Sequence, residues 1–200
     1  MERFDESLAE LHQTLDLDPL SPISNAVLAG MHFFARNYDL AIEQSAKSLD
    51  LDPNFWPALL FRAMAHEQKE NYVHAEESLA LGLEVSRRSS MMLAAMGHVC
   101  ASAGKRQAAE TVLGELCSPP SGRYVAPVYP ALVAAGLGNR AFALDELERA
   151  VKERSGWLVF LRVDPRFDVL RGESRFEQIL NRMADRTTRE SSESAHRRAG

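Results

Sequence analysis

Apolar residues recur along this chain at helical spacing, in segments that repeat every 34 residues. Within each segment they stand three and four positions apart, which puts them on one side of a helix. Four alanines keep the interval without drift: Ala41, Ala75, Ala109 and Ala143. A fixed period between about 20 and 50 residues is typical of stacked supersecondary units, and about 34 is a helix-turn-helix period. The pattern predicts an all-α solenoid.

A turn precedes each alanine. The predicted turns are Arg36-Asn37, Glu70-Asn71, Gly104-Lys105 and Gly138-Asn139. Before each turn the pattern predicts another helix, at roughly 22–35, 56–69, 90–103 and 127–137. The last one should start late, because Pro127 and Pro130 fit only within a first helical turn. Full units are expected at about 22–53, 56–87, 90–121 and 124–153, in an array over 2–153.

These positions resemble the tetratricopeptide repeat, whose units place small, aromatic and large apolar residues at set positions. Tyr38 and Tyr72 match the aromatic residue beside the turn. The small residue of the first helix is matched by Ala29, Ala63, Gly97 and Ala131. The resemblance implies a right-handed α-solenoid in which the first helices line a concave groove that binds proteins.

The N-terminal end matches half a unit. Residues 2–19 correspond to a second helix, with an apolar face formed by Phe4, Leu8, Leu11 and Leu15. A repeat cannot bury its apolar face alone, so solenoids need caps. Two interpretations stay open: this half-unit is itself the cap, or the chain is the C-terminal part of a longer protein or begins at an internal start. We hypothesise the second, because the break falls at the turn inside a unit. Homo-oligomers could also form through this end.

The C-terminal end departs from the repeat after Ser155-Gly156. Aromatic and aliphatic residues follow closely from Trp157 to Leu161, and a final helix is predicted near 173–185. We interpret 155–185 as a cap over the last helix pair. Residues 186–200 lack apolar side chains other than alanine and are expected to be disordered.

The run from Tyr124 to Met183 also resembles the C-terminal end of repeat arrays in bacterial multidomain regulators. Those arrays are attached to serine/threonine kinases, winged-helix transcription regulators or nucleotide cyclases. This second resemblance implies a regulatory or sensory part of a bacterial signalling protein.

The composition and net charge of the chain argue against several classes of function. The chain of 200 residues is 46% hydrophobic and carries a net charge of −5, which argues against nucleic-acid binding through a basic surface. No stretch is long and apolar enough for a membrane span, and the N-terminus lacks the features of a secretion signal. We therefore expect a cytoplasmic protein.

The sequence also lacks signs of catalysis. Cys100 and Cys117 do not have the spacing of metal ligands, and no phosphate loop or catalytic motif is present. Neither an enzyme nor a cofactor is therefore expected.

The histidines allow two interpretations. His32 and His66 take the same unit position, and His98 lies near it in the next unit. Neighbouring helices could align them as a metal or pH-sensing ladder. We favour structural packing between helices, because no cysteine or carboxylate pattern supports a metal site.

The repeat register assigns residues to the expected groove. They are Ala26, Gly30, Phe33, Phe34, Leu60, Met64, Glu67, Gln68, Met91, Ala94, His98, Ser102, Val128 and Leu132. This apolar trough would suit a helical or extended apolar segment of a protein or peptide, since methionine repacks around varied shapes. Alternatively, Phe33, Phe34 and Leu60 simply pack between helices. If the trough binds a partner, glutamate at both Leu60 and Met64 should abolish capture and leave the helices intact.

The leading functional hypothesis is a non-catalytic protein-interaction module. The alternative is a stand-alone adaptor or scaffold that self-associates through its half-unit. An RNA-binding helical repeat fits less well, because the chain has no basic groove.

Overall fold

The computed structural model describes residues 18–119 and 123–184, and this part of the chain is helical, without a strand. The prediction of an all-α stack is confirmed. The helices of the described array are α1 Pro22–Phe34, α2 Tyr38–Leu51, α3 Trp56–Gln68, α4 Tyr72–Val85, α5 Ser90–Ser102, α6 Arg106–Cys117, α7 Val128–Gly136 and α8 Arg140–Lys152. Two 3₁₀ helices follow, at Gly156–Phe160 and Pro165–Leu170, and then helix α9 at 174–184.

The helices pack as consecutive antiparallel pairs. Each helix contacts the next, and the first helices also stack on one another, α1 on α3, α3 on α5 and α5 on α7. The four alanines that mark the period are completely buried, with 0% exposure, in the second helices. A methyl group at this position lets the two helices of a pair approach closely. The sequence period thus reflects a packing requirement.

The turns inside the units share one backbone geometry. A residue with positive φ, between 59° and 86°, recurs every 34 residues: Arg36, Glu70, Gly104, Gly138 and Gly172. In the first turn the amide of Asn37 donates to the carbonyl of His32 at 2.9 Å. This bond belongs to the Schellman motif, which ends helices at a left-handed residue. Gly172 continues the series one unit beyond the four predicted pairs.

The first helix of the last pair is short. Helix α7 has 9 residues, with Pro127 at its N-cap and Pro130 in its first turn. Proline fits there because the first helical amides have no partner inside the helix. The late start predicted for this helix is confirmed.

Two clusters of buried apolar side chains form the core. One lies between α1 and α5, and the other extends from α5 to α9. Leu83, Met96 and Trp157 pack against both clusters. Trp157 follows the last repeat helix in sequence, yet it contacts the N-terminal cluster. The C-terminal segment must therefore cross the stack.

That crossing segment, residues 156–170, is here called the strap. In each unit a first helix is followed by a turn and then by a second helix. The strap is followed in the same way by the turn at Gly172 and by α9, so it takes the place of a first helix in a further unit. Helix α9 buries Phe176, Ile179 and Leu180. Arg175 binds Asp145 of α8 at 2.8 Å. Residues 1–17, with most of the predicted half-unit 2–19, lie outside the described residues, as does the predicted disordered tail 186–200.

No helix within 18–119 and 123–184 combines the length and apolar character that crossing a membrane requires.

Candidate partner-binding groove

The first helices α1, α3, α5 and α7 line one side of the stack, here called the groove. The residues assigned to it from the sequence do lie on these helices. Most are buried: Ala26, Gly30, Phe33, Phe34, Leu60, Met64, Glu67, Ala94, His98, Val128 and Leu132. Gln68 and Met91 are half-buried, and Ser102 is exposed. Much of the predicted binding surface is therefore withdrawn from solvent.

The strap covers the N-terminal part of the groove. The ring of Phe160 stacks on Phe34 with centroids 4.5 Å apart and planes 7° from parallel. The ring of Trp157 lies 6.2 Å from the same phenylalanine. On the C-terminal side, strap residues share a small cavity with Leu60, Met91 and other first-helix residues. In this structure the groove holds a segment of its own chain.

A buried ion pair fixes the strap. The Arg166 guanidinium donates to both oxygens of Asp164, at 2.9 and 2.6 Å, and the indole Nε1 of Trp157 donates to the same carboxylate at 3.2 Å. Both charged side chains are almost completely buried, 2% and 0% exposed. The guanidinium also lies 5.9 Å from the ring of Phe33 and 5.8 Å from that of Trp157. Such a pair is stable inside a protein because each charge is matched and hydrogen-bonded.

The environment shifts the pKa values of both groups. Burial alone would raise the pKa of the Asp164 carboxyl, but the charge and hydrogen bonds of Arg166, with the bond from Trp157, lower it overall. For Arg166 burial opposes the charge, and the Asp164 carboxylate together with the more distant Glu67 raises the pKa above the ordinary value. The pair therefore stays ionised at neutral pH.

A second polar cluster links α3 to α5 beneath the groove. Glu67 Oε1 lies 2.5 Å from Nδ1 of His98 and accepts a hydrogen bond from the Ser102 hydroxyl at 3.1 Å. The second oxygen, Oε2, is buried without a hydrogen-bond partner in the described part of the chain. The serine hydroxyl donates to the carboxylate and not to the imidazole, so this is not the order of a nucleophile, a base and its orienting acid. The cluster joins two helices.

The other predicted histidines lie apart from this cluster. The His66 ring stacks on that of His74, with centroids 5.1 Å apart. Burial, together with the charges of His74 and other neighbouring cations, lowers the pKa of His66. Among the described residues, no group of three or more potential ligands is arranged to hold a metal ion. The structure places His66 in a ring-stacking contact with His74.

Sequence reasoning missed the strap as part of the groove. Trp157, Phe160 and Arg166 lie against its side chains, although their position in the sequence assigns them to the C-terminal cap. One signal was present: Gly104, Gly138 and Gly172 keep the interval of 34 residues. Following it would have placed 158–170 in a first-helix position beside α7, although the interval does not show that this segment reaches α1.

The variant with glutamate at both Leu60 and Met64 is not expected to leave the helices intact. Leu60 is 2% exposed and Met64 is 1% exposed, so both are core residues. A carboxylate at either position would be buried without a partner and would destabilise the fold. Loss of binding in that variant would therefore not report on the groove. Half-buried residues such as Met91 are better probes.

Comparison with known proteins supports the fold. No protein-family model matches the chain. A thermophilic tetratricopeptide repeat protein of Thermus thermophilus shares 18% identity at a TM-score of 0.64, over 90% of this chain and 91% of that one. YrrB, described as a tetratricopeptide repeat protein with an unusual peptide-binding site, shares 14% identity at a TM-score of 0.50, over 88% and 91% of the two chains. These similarities establish the tetratricopeptide fold of this chain.

One curated relative also matches. Anaphase-promoting complex subunit 3 of Schizosaccharomyces pombe is 26% identical over 99 residues, or 50% of this chain. The match spans 15% of that protein's length.

Proposed function

We propose that this protein is an interaction module whose groove receives an apolar segment of a partner protein. One observation carries the proposal: the groove already accommodates the chain's own strap, through an aromatic stack on Phe34 and a guanidinium against Phe33. A surface that holds one apolar peptide segment has the shape and chemistry to hold another. The peptide-binding site named for YrrB supports the same function in a protein of this fold.

We further propose that this module is the regulatory or sensory part of a larger bacterial signalling protein. The resemblance of the run from Tyr124 to Met183 to arrays joined to kinases or DNA-binding segments supports this role. The genomic sequence tests it directly. A reading frame that continues upstream into such a segment would support the proposal, and an isolated gene would contradict it.

Site-specific photo-crosslinking tests the groove in native lysate. A benzophenone side chain at Met91, which is half-buried in the groove, should capture a partner protein. The matched control is Val73, 66% exposed on the second helix of its pair and thus away from the groove. Crosslinks from Met91 and not from Val73 support the groove. The reverse pattern would move the binding surface to the second helices.

The alternative is a self-associating adaptor, and one observation favours it. Helix α1 exposes Ile23 at 63% and Val27 at 43%. The equivalent residues one unit later, Pro57 and Phe61, are half-buried. Residues four positions apart lie on the same side of a helix, so these two side chains form one exposed apolar surface. If a second copy covers it, light scattering should show a dimer that Ile23→Lys converts to a monomer. A monomeric unmodified chain would reject this alternative.

A further inference from the structure

The strap has two faces that differ in how firmly they are held. Leu158 and Leu161 point into the C-terminal core and are 6% and 0% exposed. Trp157 and Phe160 lie against the N-terminal cluster and are half-buried. Val159, between them, is 73% exposed. The strap is thus anchored on the last repeat and rests more lightly on the first.

Most contacts between the strap and the first unit, α1 with its turn, are of the kind that a competitor can replace. Three of them are a ring stack of Phe160 on Phe34, a tilted ring contact of Trp157 with Phe34, and an ion pair between Arg36 and Asp168 at 2.7 Å. In the fourth, the buried Arg166 guanidinium lies 5.9 Å from the ring of Phe33 and stays in place when the aromatic contacts open. Both ion-pair side chains are well exposed, 47% and 38%, and such pairs add little to stability. Opening this end leaves most of the buried strap in place.

The position that the strap occupies on α1 favours aromatic side chains. The Trp157 ring lies 6.2 Å from the Phe34 ring of α1 and 5.8 Å from the guanidinium of Arg166 in the strap itself. A phenyl ring and a cation close to the same position favour an aromatic group over an aliphatic one. The second position, on the face of Phe34, holds Phe160 in a parallel stack at 4.5 Å. The two strap aromatics stand three residues apart, on one turn of a 3₁₀ helix.

We propose that residues 156–163 are a built-in competitor for the groove, and that the partner segment carries two aromatic side chains one helical turn apart. In the bound state these side chains replace Trp157 and Phe160 beside Phe34. The strap closes the groove until such a segment is present. This inference rests on the proposed function of the groove, and it adds the chemistry of the partner and the means of regulation.

The test uses the full chain and a fluorescent peptide with the sequence of residues 155–167 as the probe. Trp157→Ala with Phe160→Ala removes the competitor's contacts and leaves the groove side chains unchanged. This double variant should bind the peptide about tenfold or more tightly than the unmodified chain, because two aromatic contacts no longer compete. Adding Phe34→Ala should reverse the gain. A peptide with both aromatics replaced by alanine is the matched control.

Equal affinity of the unmodified chain and the double variant would overturn the proposal. So would binding that survives Phe34→Ala, or equal binding of the control peptide. If the double variant loses its helical circular dichroism, Phe160→Ala alone carries the same comparison. A dimer of the unmodified chain that exchanges straps would identify a second copy as the occupant, and would also overturn it.

The two proposals can fail separately. Crosslinks from Met91 in lysate without any gain in peptide affinity would keep the groove as a partner site and reject the competitor. Absence of both would reject the groove itself.

Discussion

Gly97 and Gly114 lie in neighbouring helices, and alanine should have opposite effects at the two positions. Gly97 is buried in α5, where a Cβ atom would lie 2.8 Å from Cγ1 of Val112 and 2.8 Å from Cγ2 of Val133. Valine side chains are stiff at χ1 and cannot turn away easily. A Cβ at Gly114 in α6 would meet no atom of the described residues within 4 Å.

The expected magnitudes follow from two opposing terms. Alanine in place of glycine inside a helix stabilises by about 1 kcal/mol. Overpacking of a filled core costs about 1–3 kcal/mol, and at Gly97 two rigid branched side chains must move. Gly97→Ala should therefore destabilise the protein by roughly 1 kcal/mol. Gly114→Ala should stabilise it by about 0.5–1 kcal/mol, because the helix term acts alone.

Urea unfolding followed by circular dichroism measures both effects. In a Val133→Ala background the cost of Gly97→Ala should shrink, since one of the two crowding side chains is gone. If Gly97→Ala stabilised the protein as much as Gly114→Ala, α5 would not pack on α6 and α7 at this residue. The helix register described above would then be wrong.

Two further predictions concern charged and titratable groups. Arg166→Leu leaves the Asp164 carboxylate buried without its partner and should cost about 3–5 kcal/mol in urea unfolding, and a loss below about 1 kcal/mol would contradict the buried pair. The pKa of Asp164 is lower in the folded protein than its ordinary value of 3.8. The stabilisation from this carboxylate is therefore complete above pH 3.8 and is lost as pH falls through the folded pKa. Asp164→Asn should reduce the loss of unfolding free energy at acid pH. His66 also has a lowered folded pKa, so the protein should lose stability as pH falls below the ordinary imidazole value of 6.5, and His66→Gln should reduce that loss in thermal unfolding. An unchanged pH profile in His66→Gln would show that other groups cause the loss.

The repeated part of the fold could be predicted from the sequence because one packing rule acts in every unit. A methyl group at Ala75 and a left-handed residue at Glu70 are local requirements, and each recurs at the same interval. Each of these requirements acts within one unit, so it is visible as a repeated residue type in the sequence. The helix bounds and the late start of α7 after Pro127 follow from the same kind of signal.

The content of the groove could not be predicted in this way. The stack of Phe160 on Phe34 joins the two ends of the array, and no periodicity in the sequence specifies which segment crosses the first helices. The assignment of Phe34 to the groove follows from the register, but its burial depends on the crossing segment. Gly172 indicated another unit, although it did not indicate that the first helix of that unit would be a pair of 3₁₀ turns.

A double-mutant cycle between Phe34 and Phe160 tests most directly whether the strap closes the groove. Each residue is replaced by alanine, alone and together, and the free energy of unfolding is measured for all four proteins. A parallel stack at 4.5 Å should give a coupling energy of about 0.5–1.5 kcal/mol. A coupling energy near zero would mean that the strap does not lie on α1, and the closed groove described here would be wrong.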